Sequence, residues 1–166
     1  MALILSGDAG ITFPVTAGSA SAVQASSGRV LQVVQGLLTT QVSTTTLNTF
    51  VTTGLSASIT PSSATSKILA TISGTGFTSA STVQGVFTLY KNSTNLSTYG
   101  FTTVYASNGA TQGGIAFTYL DSPASTSSTS YTLYFSLANA AGTLTFNSPS
   151  GFGQGTATII LQEIAA

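Results

Sequence analysis

Ser130-Tyr131-Thr132-Leu133-Tyr134-Phe135-Ser136-Leu137-Ala138 decides how the rest of the chain reads. Tyr131, Leu133, Phe135 and Leu137 fall on one side of an extended backbone; Thr132, Tyr134 and Ser136 fall on the other. Side chains alternate across a strand, so this stretch is a strand with one buried face. The same period of two recurs on both sides of it. Ile68, Ala70 and Ile72 share a face in 67–73, as do Phe87 and Leu89 in 85–91, and Ile115, Phe117 and Tyr119 in 114–120. Further strands are expected at 29–35, 40–44, 48–53, 55–60, 98–105, 142–147 and 157–164. Gly54 separates the third and fourth of these. Pro61-Ser62-Ser63, Asn92-Ser93 and Asp121-Ser122-Pro123 supply turn signals between runs. β-branched Thr and Val are stiff at χ1 and favour strands over helices. No ten-residue helix emerges; 17–27, the best candidate, holds too much Gly and Ser.

About nine to ten strands after residue 28 fill two packed sheets. The expected fold is all-β: an antiparallel β-sandwich, jelly-roll-like, with an immunoglobulin-like Greek key as the second choice. No fixed-period repeat is present. Residues 1–28 read differently, as a short N-terminal arm or anchor. Two brief apolar pieces flank Gly7-Asp8-Ala9-Gly10, and small-residue linker chemistry follows Pro14. An ordinary first hairpin of the same domain is the alternative. Residues 29–166 form the sandwich head.

Composition then narrows the function. Only 4% of the 166 residues are charged: Arg29, Lys67 and Lys91 against Asp8, Asp121 and Glu163. An average chain carries about 25%. Apolar residues make up 42%, mean hydropathy is +0.41, and Ser (25) and Thr (30) supply most of the polar surface. A chain with this much apolar material and zero net charge folds instead of remaining disordered. Three scattered cations do not make a nucleic-acid footprint or an anionic-membrane patch. No run reaches the roughly 18 apolar residues of a membrane helix. The opening 1–7 lacks a basic n-region, so assembly in a cytoplasm is expected.

With no His and no Cys, the chain has no Ser-His-Asp triad, no Cys-His pair, no thiolate or imidazole metal site and no disulfide. No cofactor and no metal are expected. The best carboxylate pair for glycoside chemistry is Asp121 with Glu163, but Asp121 sits in Leu-Asp-Ser-Pro and reads as a turn residue. Gly151-Phe152-Gly153-Gln154-Gly155 precedes a strand, whereas a phosphate cradle needs a following helix. Asn92-Ser93-Thr94 and Asn95-Leu96-Ser97 fit the glycosylation rule by chance in a Ser/Thr-rich chain.

Charge this low also bears on sheet edges. Monomers blunt exposed edges with Lys, inward charges or Pro; here there are few charges and four Pro residues. Neighbouring copies covering edges and apolar faces are the natural remedy. Tyr99, Phe101 and Tyr105, together with Asn108 and Phe152, are the candidate contact residues. Packing in the core or at a subunit interface is the first reading of the aromatic ones, with contact to surface glycans as the functional alternative.

Four segments carry a family resemblance. They are Val30-Leu31-Gln32-Val33-Val34; Gly54-Leu55-Ser56 through Thr60-Pro61-Ser62-Ser63 to Ser66-Lys67-Ile68; and Leu120-Asp121-Ser122-Pro123 with the closing Ala157-Thr158-Ile159-Ile160-Leu161-Gln162-Glu163-Ile164. Together they resemble a module of tailed-bacteriophage virion proteins of the marine-phage fibre or decoration type. The likeness spans about residues 29–166. It implies a non-enzymatic virion structural protein, a homotrimer with a β-rich head, attached to other virion proteins through residues 1–28. A receptor-binding fibre adhesin is the alternative. An arm of 28 residues spans at most about 100 Å, which favours a short fibre, or a decoration on capsid or tail, over a long shaft.

Overall fold

The computed structural model describes residues 28–147 and 155–166, together with the backbone of two short strands ahead of Gly28. None of the described residues is helical. The two leading strands, β1 (Ile4–Ser6) and β2 (Gly10–Thr12), pair with each other as a hairpin. Then come β3 (Val30–Leu38), β4 (Val42–Thr44), β5 (Val51–Ile59), β6 (Lys67–Thr78), β7 (Gln84–Lys91) and β8 (Thr94–Asn95). β9 (Thr102–Tyr105), β10 (Thr111–Asp121), β11 (Thr129–Leu137), β12 (Leu144–Phe146) and β13 (Ala157–Ile164) complete the chain.

The pairing is nested. β3 pairs with β13, β4 with β12, β5 with β11, β6 with β10 and β7 with β9, all antiparallel. From β3 to β13 the chain is therefore one long hairpin, with its tip at Asn92-Ser93 between β7 and β8, rolled into two sheets. The first sheet runs β3-β13-β6-β10, and β12 and β4 continue the β13 and β3 positions along the far half of β6. The second runs β5-β11-β7, with β8 and β9 sharing the outer edge of β7. This is the strand order of a jelly roll, and it decides against the Greek key of immunoglobulin type. At the open end of the roll the chain is paired from its first fully described residue: Gly28 N donates to Ala165 O and Ala165 N to Arg29 O.

Inward residues of the two sheets meet in one core. Ile68, Ile72, Ile115 and Ile159 come from the first sheet; Leu55, Phe87, Leu89, Tyr131, Leu133 and Phe135 come from the second. Burying such side chains is worth about 1.5–3 kcal/mol each, and this drives the closure of the sandwich.

Three expectations about strand bounds change. The break expected at Gly54 is a bulge inside one strand: Thr132 faces Ser56 while Tyr134 faces Thr52, so β5 uses four residues where β11 uses two. Gly54 takes φ +82, which glycine adopts without penalty. The Thr53 hydroxyl fills the gap, donating to Leu133 O at 2.8 Å and accepting from Leu55 N at 3.2 Å. β6 continues to Thr78 because its glycines make room for core rings; a Cβ on Gly74 would lie 2.7 Å from the Phe146 ring. The strand expected over 98–105 shrinks to Thr102–Tyr105, since 97–101 turns back over the second sheet.

Candidate interaction surfaces

The outward positions of the two sheets have different chemistry. On the first sheet the register lines up three rows: Leu37-Thr158-Ser73-Ala116, Gln35-Ile160-Thr71-Thr118 and Val33-Gln162-Leu69-Leu120. Aliphatic side chains alternate there with hydroxyls and amides. Val33 is 58% exposed, Leu37 57% and Leu120 49%. No charged side chain falls in these rows; Lys67 stands at their end, beside Ile164. On the second sheet the corresponding rows are Ser56-Thr132-Tyr90-Asn95 and Thr52-Tyr134-Thr88. Hydroxyls dominate, with Tyr90 and Tyr134 stacked at 3.9 Å. One sheet thus shows water a polar face, and the other an uncharged face whose outward side chains are half aliphatic and half polar.

The two acids of the resemblance motifs both point inward. Glu163 is fully buried at the end of β13. Its Oε1 accepts from Ser62 N (2.7 Å) and Ser62 Oγ (2.6 Å), and its Oε2 accepts from Gln32 Nε2 (2.6 Å). Gln32 also donates to Thr60 O at 2.7 Å. Burial works against the ionised carboxylate, but the hydrogen bonds from Ser62, Gln32 and Ser66 outweigh it and bring the pKa down to about 2. Asp121, also buried, accepts from Tyr131 OH at 2.6 Å and pairs with Lys91 Nζ at 3.1 Å. Burial first, then the bond to this carboxylate, pushes the Tyr131 phenol well up. Both acids face Ile68 of β6 from opposite sides, so their backbones stand two strand spacings apart, about 10 Å. Each carboxylate is engaged by structural donors, Glu163 closing the Thr60-Pro61-Ser62 turn onto β3 and β13.

The expected contact residues separate. Tyr99 is 93% exposed and walls a cleft on the outer side of the second sheet; Tyr105 is half exposed at the end of β9. Asn108 is exposed in the turn before Gly109, whose N–H donates to Ser81 Oγ. Phe101 turns inward instead, stacking on Phe117 (5.0 Å) with Tyr119 edge-on (5.2 Å) at the margin of the core. Phe152 lies outside the described residues with the rest of 148–154, as does most of the 1–28 arm.

The aliphatic face was missed from sequence. Its signal was present in Val30-Leu31-Gln32-Val33-Val34-Gln35-Gly36-Leu37-Leu38, which is apolar on both sides where β5 alternates with Thr and Ser. Among the described residues no helix is long and apolar enough to cross a membrane. Compared with family models and with curated proteins, the chain matches none.

Proposed function

We propose that this chain is a non-enzymatic structural subunit of a tailed-bacteriophage particle. It acts as a homotrimer, in a short fibre or a capsid or tail decoration, and residues 1–28 seat it on other virion proteins. The observation that carries the reading is the uncharged aliphatic face of the β3-β13-β6-β10 sheet. Four strands at about 4.8 Å spacing and eight residues of about 3.3 Å rise give that face a footprint of roughly 500 Å². Gathered about a three-fold axis, three such faces would remove roughly 1,500 Å² from water in total, the order of a specific interface. A second copy suits it because neither side brings a charge to be desolvated, and the Ser, Thr and Gln between the aliphatic groups can bond across the contact. The resemblance motifs contribute the virion setting, and the two acids contribute rigidity.

Light scattering coupled to size exclusion tests the reading. The full chain should elute as a species of about three times 16.6 kDa. The double variant Val33→Lys, Leu37→Lys should fall to a single-copy mass with the same circular dichroism, since both side chains are more than half exposed. A wild-type chain that stays single at millimolar concentration would sink the proposal.

A further inference from the structure

On the opposite sheet, two loops fold down over the outward side chains of β7 and β11 and leave a cleft between them. The 95–101 turn forms one wall. Thr88 Oγ1 points at Asn95 Oδ1 (2.7 Å) and Ser97 O (2.9 Å), Ser97 N donates to Asn95 Oδ1 (3.0 Å), and Phe101 N donates to Phe87 O (2.8 Å). Gly100, at φ +81, lies so close to the sheet that a Cβ would meet Val86 Cγ1 at 2.3 Å. The 46–50 segment forms the other wall. Asn48 N donates to Leu137 O (2.7 Å), Leu137 N to Thr46 O (2.9 Å) and Thr49 N to Ser136 Oγ (3.1 Å). Both walls are therefore bonded to the sheet, and the cleft, about 270 Å³, is pre-formed.

Its lining is specific in kind. Tyr99 stands on the tied turn with 93% of its surface in water, opposite Phe50 and Asn48. The Asn48 side-chain amide has no hydrogen-bond partner among the described residues, and Asn48 holds a left-handed φ of 58. None of the lining residues is charged.

We infer that this cleft binds a neutral saccharide unit, with the Tyr99 ring against the C–H face of the sugar and the Asn48 amide on its hydroxyls. The negative face of an aromatic ring attracts the weakly positive C–H groups on the flat side of a pyranose. An amide offers both donors and an acceptor to neighbouring hydroxyls. A phosphate, sulfate or sialic acid would demand the Arg or Lys that the lining lacks. The volume is just below the ~300–1,000 Å³ of pockets for drug-sized ligands, which fits one sugar ring. A single ring in an open cleft binds weakly, with Kd on the order of 1 mM. The cleft lies on the sheet that the proposed self-association leaves free, so a copy can bind sugar whether or not it associates.

Saturation-transfer NMR on the full chain decides the matter. The probes are the methyl glycosides of glucose, galactose, mannose and N-acetylglucosamine, with N-acetylneuraminic acid as the charged comparison. Transfer should reach the C–H protons of at least one neutral glycoside. Tyr99→Ala should weaken that binding ten-fold or more at unchanged melting temperature. Asn48→Gly, which keeps the left-handed backbone and removes the amide, should weaken it several-fold. The inference is overturned if no neutral glycoside receives transfer, if both variants bind as the wild type does, or if N-acetylneuraminic acid is preferred. The light-scattering mass reports separately on association.

Discussion

Replacing Glu163 with Gln removes one charge and almost no volume, so its effect isolates what the ionised carboxylate does. The carboxylate titrates at about 2 against an ordinary 4.5. At about 1.4 kcal/mol per pH unit, the folded state favours the ionised form by about 3 kcal/mol. The depressed value fixes the sign. The contribution is complete above pH 4.5, where the unfolded chain is also ionised, and it is lost as pH falls from there toward 2. In the Gln variant one amide face still accepts from Ser62, but its NH₂ confronts the Gln32 NH₂ and the charge assistance is gone. We expect the variant to be about 3 kcal/mol less stable at pH 7, a drop of roughly 6–12 °C in melting temperature for a chain of this length. The gap should close below pH 4.5 and nearly vanish at pH 2. Urea titrations of both proteins at pH 7, 4 and 2 would measure it, at one fixed protein concentration because association adds to apparent stability. Equal stabilities at pH 7, or a gap that persists at pH 2, would refute the electrostatic account of this clamp.

Gly36→Ala should destabilise by about 1–3 kcal/mol or more, because its Cβ would sit 2.0 Å from the Ser56 carbonyl oxygen, a backbone atom with no rotamer to yield; thermal unfolding would register it. Tyr131→Phe strips the buried Asp121 carboxylate of its 2.6 Å donor and should cost about 1–3 kcal/mol, read by the same urea assay. Deleting residues 1–27 should leave the sandwich folded, with near-wild-type amide protection in β3 and β13, since Gly28 and Arg29 already bond to Ala165 at the open end; loss of protection there would make those residues part of the domain.

Most of the architecture was legible because burial imposes a period that sequence records directly. The register of β11 follows from Tyr131, Leu133, Phe135 and Leu137 alone, and the pairing partners could not be read so simply. Nesting is a long-range property: β3 and β13 lie more than a hundred residues apart, and nothing local in Val33 announces Gln162 opposite it. Gly54 and Gly74 misled for a related reason. Within one strand a glycine looks like a stop, while in the folded sandwich it makes a bulge or admits a ring from elsewhere. The contact residues divided on the same ground. Tyr99 and Phe101 are two residues apart in a turn-rich stretch, and only the fold of 95–101 sends one to water and the other onto Phe117. Asn48 and Phe50 carried no signal, because their site exists only where two loops meet over one sheet.

Folding makes this poorly charged chain poorer still at its surface. Asp121 and Glu163 are drawn inside, and Lys91 is tied to Asp121. Among the described residues, Arg29 and Lys67 are then the exposed charges with no ion-pair partner. Solubility rests on Ser and Thr hydroxyls, which are plentiful on the second sheet and sparser among the aliphatic rows of the first. An association driven by those rows is apolar in origin, and it should respond to solution conditions accordingly. Exposed charges a Debye length apart, about 30 Å at 0.01 M and 3 Å at 1 M salt, are what added sodium chloride screens; here there are almost none to screen. The oligomer mass should therefore hold constant across that range, while sulfate, which is excluded from apolar surface, should tighten it. An assembly that dissolves into single copies on adding sodium chloride would mean that Arg29 and Lys67 hold the copies together, not Val33, Leu37 and Leu120.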